Sequence, residues 1–291
     1  MRLATISIDA GPEVALDRGD AFVRLSVAAP DLPRTAQGVL ALGEGVRPRL
    51  HALLEGSVGV VPASEARRLQ PILRPGKILG IGLNYRDHAE ETGRTPPTVQ
   101  TWFVKQATAA HPPFDPVLKP AVSDALDYEA ELVLVIGKTA RFVPEERAHE
   151  VIGGYCVGCD YSVRDWQRAT PTMIMGKGFD THAPFGPSIT LTGPDLNPLD
   201  LAICCDVNGE ARQRGWTGDM LFTPAEQIAH LTQAFTLEPG DLIFTGTPAG
   251  ECAATDPPRF LKPGDRVRCT IDGLGSIEQQ IVAEKAEMRL E

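Results

Sequence analysis

The chain has 291 residues, a mass of 31.3 kDa, 43% hydrophobic residues and a formal net charge of −10 at pH 7. That length suffices for one large domain plus a small one, with a sizeable core. An acidic balance without clustered Lys and Arg excludes nucleic acid as a partner, and no apolar run approaches the roughly 18 residues of a membrane span. The first residues, Met1 to Asp9, hold no long apolar stretch followed by a small-residue cleavage site, so a cytoplasmic address is expected.

Residues 1–70 read as a small N-terminal α+β domain. Strand-like pieces run from Leu3 to Ile8 and from Ala21 to Val27, and a helical stretch lies around Pro62 to Arg68. Pro71-Ile72-Leu73-Arg74-Pro75-Gly76 reads as a linker, and residues 71–291 form a second, catalytic domain opening on the apolar run Lys77 to Gly82. Gly80-Ile81-Gly82 lacks the third glycine and the acidic ribose ligand of a dinucleotide site. Strand-like runs then recur at 131–136, 151–159, 187–192, 201–207, 242–246, 265–271 and 277–282. One clear helix starts at Pro224, with Thr223 as N-cap and Glu226 completing a capping box. Pro239-Gly240-Asp241 and Pro263-Gly264-Asp265 predict type II turns feeding strands. The expected fold is mixed α/β and β-rich, a barrel or roll of mixed or antiparallel strands with a few helices outside.

The chemistry concentrates in Asp127-Tyr128-Glu129-Ala130-Glu131, which runs into Leu132 to Gly137. Glu129 and Glu131, two apart on a strand, share a face, and two like charges beside a buried strand call for a compensating cation. Asp160, closing the apolar run Val151 to Cys159, is the candidate third ligand. Three oxygen ligands suit Mg2+ or Mn2+ better than Zn2+. The six cysteines include one C-x-x-C pair, Cys156 and Cys159, but on a strand these point to opposite faces and hold neither zinc nor a redox disulfide.

Six clusters, taken in order, resemble the fumarylacetoacetate hydrolase family over roughly residues 72–284: Gly82 to Glu91, Phe103-Val104-Lys105, Glu129 with Glu131, Asp160 to Gln167, Gly176 to Thr181, and Thr245 to Gly250. The resemblance implies a β-roll or barrel catalytic domain, commonly a homodimer, in which Glu129, Glu131 and Asp160 hold the divalent cation. It places Lys177 and Arg164 against the metal and the substrate carboxylate, Gln167 as a donor to substrate, and Tyr85, Lys105 and Thr247 in the pocket lining. His88 and Glu91, three apart and so on one helical face, match a water-activating His–Glu pair carried by a mobile lid. The chain departs from the family pattern at Cys159 (commonly Asn), at Trp166 (frequently Leu) and at Glu251-Cys252 (commonly Val-Gly). The first two are expected to reshape the pocket and the last to alter a loop at its rim.

For function the resemblance implies that Mg2+ or Mn2+ chelates an α-keto acid and stabilises a pyruvate enolate. The leading expectation is hydrolysis of a C–C bond in an acylpyruvate- or fumarylpyruvate-like diketo acid, in catabolism of aromatic or sugar-derived acids, with His88, Glu91 and Lys177 catalytic. An oxaloacetate-type decarboxylase and a hydroxymuconate-type isomerase use the same enolate. From a different class, a non-catalytic metal- or carboxylate-binding protein would have lost one of the acidic ligands, Lys177 or His88, and all are present.

Overall fold

The run Leu132 to Ile136 offers no polar face, and the strand Ala130–Ile136 is buried along its whole length in the computed structural model, which describes residues 1–8 and 11–288. Side chains that alternate across a strand must then find apolar partners on both sides. Leu132, Leu134 and Ile136 cluster with Ile203, Cys205, Val267, Cys269 and Ile271. Val133 and Val135 cluster with Val39, Leu40 and Leu50 on the opposite face. Each such side chain removed from water stabilises the fold by about 1.5–3 kcal/mol before entropy is counted.

This strand lies near the middle of a mixed sheet whose hydrogen-bonded path runs Val60–Pro62, Ala21–Arg24, Gly11–Asp17, Arg2–Ile8, Ala183–Leu191, Ile152–Cys159, Ala130–Ile136, Leu242–Phe244, Ile78–Gly82 and Thr101–Lys105. Neighbours along it are antiparallel except Leu242–Phe244 with Ile78–Gly82. A five-stranded sheet, Glu210–Trp216, Ala202–Val207, Arg266–Ile271, Gly275–Ala283 and Val117–Lys119, covers one face. The helices Ala36–Leu40 and Arg47–Glu55 pack on the other. The fold is thus mixed α/β and strand-rich, as the pattern of runs and turns predicts. The expected boundary near residue 70 falls between Arg67–Leu69 and Ile78–Gly82, and the large sheet crosses it through the pairing of Arg2 and Leu3 with Thr190 and Ile189.

Local chemistry accounts for several elements. The helix Pro224–Ala234 is closed by its capping box, with the Glu226 amide donating to Thr223 Oγ1 and the Thr223 amide donating to Glu226 Oε2 at 2.7 Å. Both Pro-Gly-Asp segments are turns with the glycine at positive φ, +90° at Gly240 and +100° at Gly264, which an L side chain adopts only at a cost. Cys156 and Cys159 enter different hydrophobic clusters, on opposite faces of the sheet, and both are free thiols.

Other elements differ from expectation. The helix expected around Pro62 to Arg68 is a strand, Val60–Pro62, a single 3-10 turn, Ala63–Glu65, and a strand, Arg67–Leu69. Pairing with Ala21–Arg24 and Arg2–Ile8 overrides the helix propensity of this Ala- and Arg-rich stretch. The strand expected from Ala21 to Val27 stops at Arg24 and turns into the short helix Leu25–Ala28. Gly11–Asp17, Thr101–Lys105 and Glu210–Trp216 are strands without a clean apolar alternation, formed where neighbouring edges supply partners.

Candidate metal and catalytic site

Register builds the acidic triad. Ala130 pairs with Cys159 and Glu131 with Gly158, and the Asp160 amide donates to the Glu129 carbonyl at 2.8 Å. Asp160 therefore stands across from Glu129, and since side chains two apart share a face, Glu129, Glu131 and Asp160 converge. Their carboxylate oxygens come within 4.8 Å of one another, and all three residues are buried.

Cations close around them. Lys177, at the end of the helix Ile174–Lys177, donates to Asp160 Oδ2 at 2.6 Å and to Glu129 Oε2. Lys105 donates to Asp160 Oδ1 and to the Tyr161 carbonyl at 3.1 Å. Arg164 reaches Asp127 and Glu129, each at 2.8 Å, and also Glu251, while its third nitrogen donates to Gln167 Oε1 at 2.9 Å. Glu131 accepts the Gly246 amide at 2.7 Å, at a point where φ is +96° and a Cβ would lie 2.7 Å from Asn84 Cβ. Asp127, Glu129, Glu131, Asp160 and Glu251 are five buried carboxylates, and Lys105, Arg164 and Lys177 are three buried cations. Among the described residues, Glu129, Glu131 and Asp160 converge with no cation between all three, and the all-oxygen donor set suits Mg2+ or Mn2+.

The local field splits the ligands. Burial pushes the Glu129 carboxyl up, but the Arg164 guanidinium and Lys177 ammonium outweigh it and hold Glu129 well below the usual range. Burial, with Asp160 and Glu129 as like charges nearby, pushes Glu131 well above it. A bound cation relieves that repulsion.

His88 lies on the helix Arg86–Glu91 and is 6% exposed. Its Nδ1 lies 3.9 Å from Glu91 Oε2 and its Nε2 3.7 Å from Glu251 Oε2. Burial lowers its pKa, so the ring is neutral at pH 7 and able to accept a proton. Glu91, expected to orient this ring, accepts the Gly250 amide at 2.9 Å, and Asp87 accepts the Ala249 amide at 3.2 Å. The helix is thereby docked on the Thr247 to Glu251 loop.

His88, Glu91, Glu129, Glu131, Arg164, Gln167, Lys177 and Thr247 line one cavity of about 700 Å³. Of three residues expected in the pocket lining, Tyr85 and Lys105 lie outside it and Thr247 lines it with its hydroxyl already bonded. Tyr85 is fully buried outside that lining, its hydroxyl without a hydrogen-bond partner among the described residues. Lys105 lies behind Asp160, and the Thr247 hydroxyl donates to the Ala130 carbonyl and accepts from Gln213, each at 2.8 Å. Two residues escaped the sequence reading. Asp127, two positions before Glu129, clamps Arg164 and also accepts the Cys252 and Ala253 amides. Glu251, expected only to alter a rim loop, is 5% exposed and points into the cavity.

Residues 77–282 match the family model for the fumarylacetoacetate hydrolase C-terminal domain. The chain belongs to the fumarylacetoacetate hydrolase family. It is 38% identical over 277 residues to a Bos taurus protein named mitochondrial oxaloacetate tautomerase FAHD2A, spanning 94% of this chain and 88% of that one. Among solved structures, a fumarylacetoacetate hydrolase of Exiguobacterium antarcticum superposes with a TM-score of 0.86 at 30% identity, covering 98% of this chain and 100% of that one. Maleylpyruvate hydrolase from Sphingobium sp. SYK-6, solved with manganese(II) and pyruvate, superposes with a TM-score of 0.82 at 29% identity over the same shares. The relatives and neighbours carry the names of several reaction types on one scaffold, so membership of the family supports an enzyme without naming its reaction.

Proposed function

We propose that this chain catalyses keto–enol interconversion of a 2-keto dicarboxylic acid of the oxaloacetate type, with Mg2+ or Mn2+ held by Glu129, Glu131 and Asp160. The observation that carries this reading is the cavity where the all-carboxylate triad shares one wall with neutral His88. The tautomerase name of the bovine relative, at 38% identity, and the pyruvate held beside manganese in the hydrolase neighbour support a 2-keto acid here. A divalent cation in the triad supplies Lewis-acid stabilisation of negative charge developing on the keto oxygen.

The residues of the chain do the rest. His88 takes the proton from the carbon next to the ketone, a task suited to a neutral imidazole whose pKa burial has lowered. The Lys177 ammonium stays charged, because Asp160 and Glu129 outweigh the burial that would lower its pKa, and it lines the cavity beside the triad. Arg164, shared among Asp127, Glu129 and Glu251, holds those carboxylates in place. The Gln167 amide, on the cavity wall, donates to Met173 Sδ at 3.7 Å and would exchange that weak acceptor for a substrate oxygen.

Hydrolysis of a C–C bond in an acylpyruvate is the second reading, favoured by the hydrolase neighbours and by the carboxylate facing each nitrogen of His88, as a water-activating base requires. Enol absorbance with oxaloacetate, and pyruvate release from acetylpyruvate and fumarylpyruvate, each measured with Mg2+, Mn2+ and EDTA in wild type and His88→Asn, test both. Metal-dependent loss of the enol that falls at least about a hundredfold in His88→Asn supports the tautomerase. Pyruvate release from the diketo acids alone would replace it with the hydrolase.

A further inference from the structure

The Thr247 to Glu251 loop is shaped to carry its last side chain inward. Gly250 has φ +107°, and a Cβ there would lie 2.1 Å from the Arg212 carbonyl oxygen, so the backbone turns where only glycine fits. The Tyr128 hydroxyl donates to the Gly250 carbonyl at 2.9 Å, and the next two amides, of Cys252 and Ala253, donate to Asp127. Glu251 is thus bracketed by fixed backbone and projects beside His88, at a position where the family pattern more commonly has valine.

We propose that Glu251 is the proton partner of His88, its Oε2 standing close enough to His88 Nε2 for one water oxygen to pass a proton between them. The two atoms lie 3.7 Å apart on the same cavity wall, so one oxygen at hydrogen-bond distance from each would bridge them. Glu91, the carboxylate on the opposite side of the ring, is engaged by the Gly250 amide and serves to hold helix and loop together. The groups that face His88 are Asp87 and Glu91 on its own helix, and Glu129, Arg164 and Glu251 from elements packed on it.

Glu251 is suited to the exchange. It must share the Arg164 guanidinium with Asp127 and Glu129, which leaves its charge undercompensated, and burial pushes its pKa up to about 8 although Arg164 opposes the shift. Near neutral pH both protonation states are within reach. In the step itself the C–H bond next to the ketone breaks, its electron pair passes into the enolate, and the proton goes to His88 Nε2. The imidazolium then passes its proton to a water bridging the two groups, which gives one of its own protons to the Glu251 carboxylate, restoring the neutral ring and leaving a carboxylic acid that can return the proton to the enol oxygen. The net result is one proton moved from carbon to oxygen, with no oxidant or co-reactant.

The proton relay rests on the tautomerase reading, but the pairing of the two side chains does not. The test therefore combines turnover with the imidazole titration of His88, read by NMR on the full chain and assigned by its disappearance in His88→Asn. Wild type is expected to show a second inflection in the His88 ring signals near pH 8, as the neighbouring Glu251 ionises, and Glu251→Gln is expected to lose it. The substitution is also expected to lower kcat about ten- to a hundredfold with KM within about threefold. Glu251→Asp, which keeps the carboxylate and the Arg164 contact, is expected to restore part of both. A Glu251→Gln protein that keeps the second inflection and the kcat of wild type would overturn the proposal and leave the tautomerase reading standing. Loss of the inflection in Glu251→Gln, with a wild type that turns over none of the keto acids, would overturn the relay together with the tautomerase reading.

Discussion

Lys177 bridges Glu129 and Asp160 at 3% side-chain exposure, and removing its charge leaves two buried carboxylates facing each other. Breaking a buried ion pair from one side costs about 3–5 kcal/mol. Lys177→Met is expected to unfold at correspondingly lower urea in EDTA and to recover part of the loss when Mn2+ is added, because the ion then meets the same charges. His182 gives a pH dependence. Its ring is fully buried, Nε2 lies 2.8 Å from the Leu118 carbonyl oxygen, and burial lowers its pKa to about 3. The unfolded chain binds a proton at this histidine below about pH 6.5 and the folded chain does not until about pH 3, so the contribution is complete above pH 6.5 and is lost as pH falls. Between pH 7 and pH 5 the wild type is expected to lose about 2 kcal/mol more than His182→Gln in urea unfolding.

At the scale of elements, the helix Pro224–Ala234 was legible because its signals are local: a capping threonine, a first-turn proline and a returning glutamate within four residues. Thr223→Ala is expected to cost about 1 kcal/mol, seen as a lower midpoint without a change in the slope of the denaturation curve. The strand Ala130–Ile136 was legible because an unbroken apolar run must be buried on both faces. The segment Pro62 to Arg68 was not, because its strands exist only through partners distant in the chain, Ala21–Arg24 and Arg2–Ile8. Thr101–Lys105 likewise carries a lysine that its composition marks as exposed, and only the neighbouring Asp160 explains why that lysine is buried.

For the whole molecule, the site joins segments scattered from Asp87 to Ala253, so an ion that binds only the assembled carboxylates stabilises the entire fold. Mn2+ at a hundredfold its dissociation constant is expected to add about 2.7 kcal/mol, measured as a concentration-dependent rise in Tm that EDTA abolishes. Glu131→Gln, which keeps the shape and removes one charge, is expected to reduce that rise. Among the described residues, no helix is long and apolar enough to cross a membrane.

The sequence by itself determined the acidic triad. Glu129 and Glu131 share a face through the two-residue period of a strand, and Asp160 ends the run that pairs with it. It also determined the turns and the capped helix, whose causes lie within a few residues. Only the tertiary structure decided how the surrounding charges are spent. Arg164 proved committed to three protein carboxylates, Lys105 and Tyr85 stand behind the cavity wall, and Glu251 enters the cavity beside His88. Those outcomes depend on the register between distant strands and on backbone turned by glycines such as Gly250, and neither can be read from residue type or spacing.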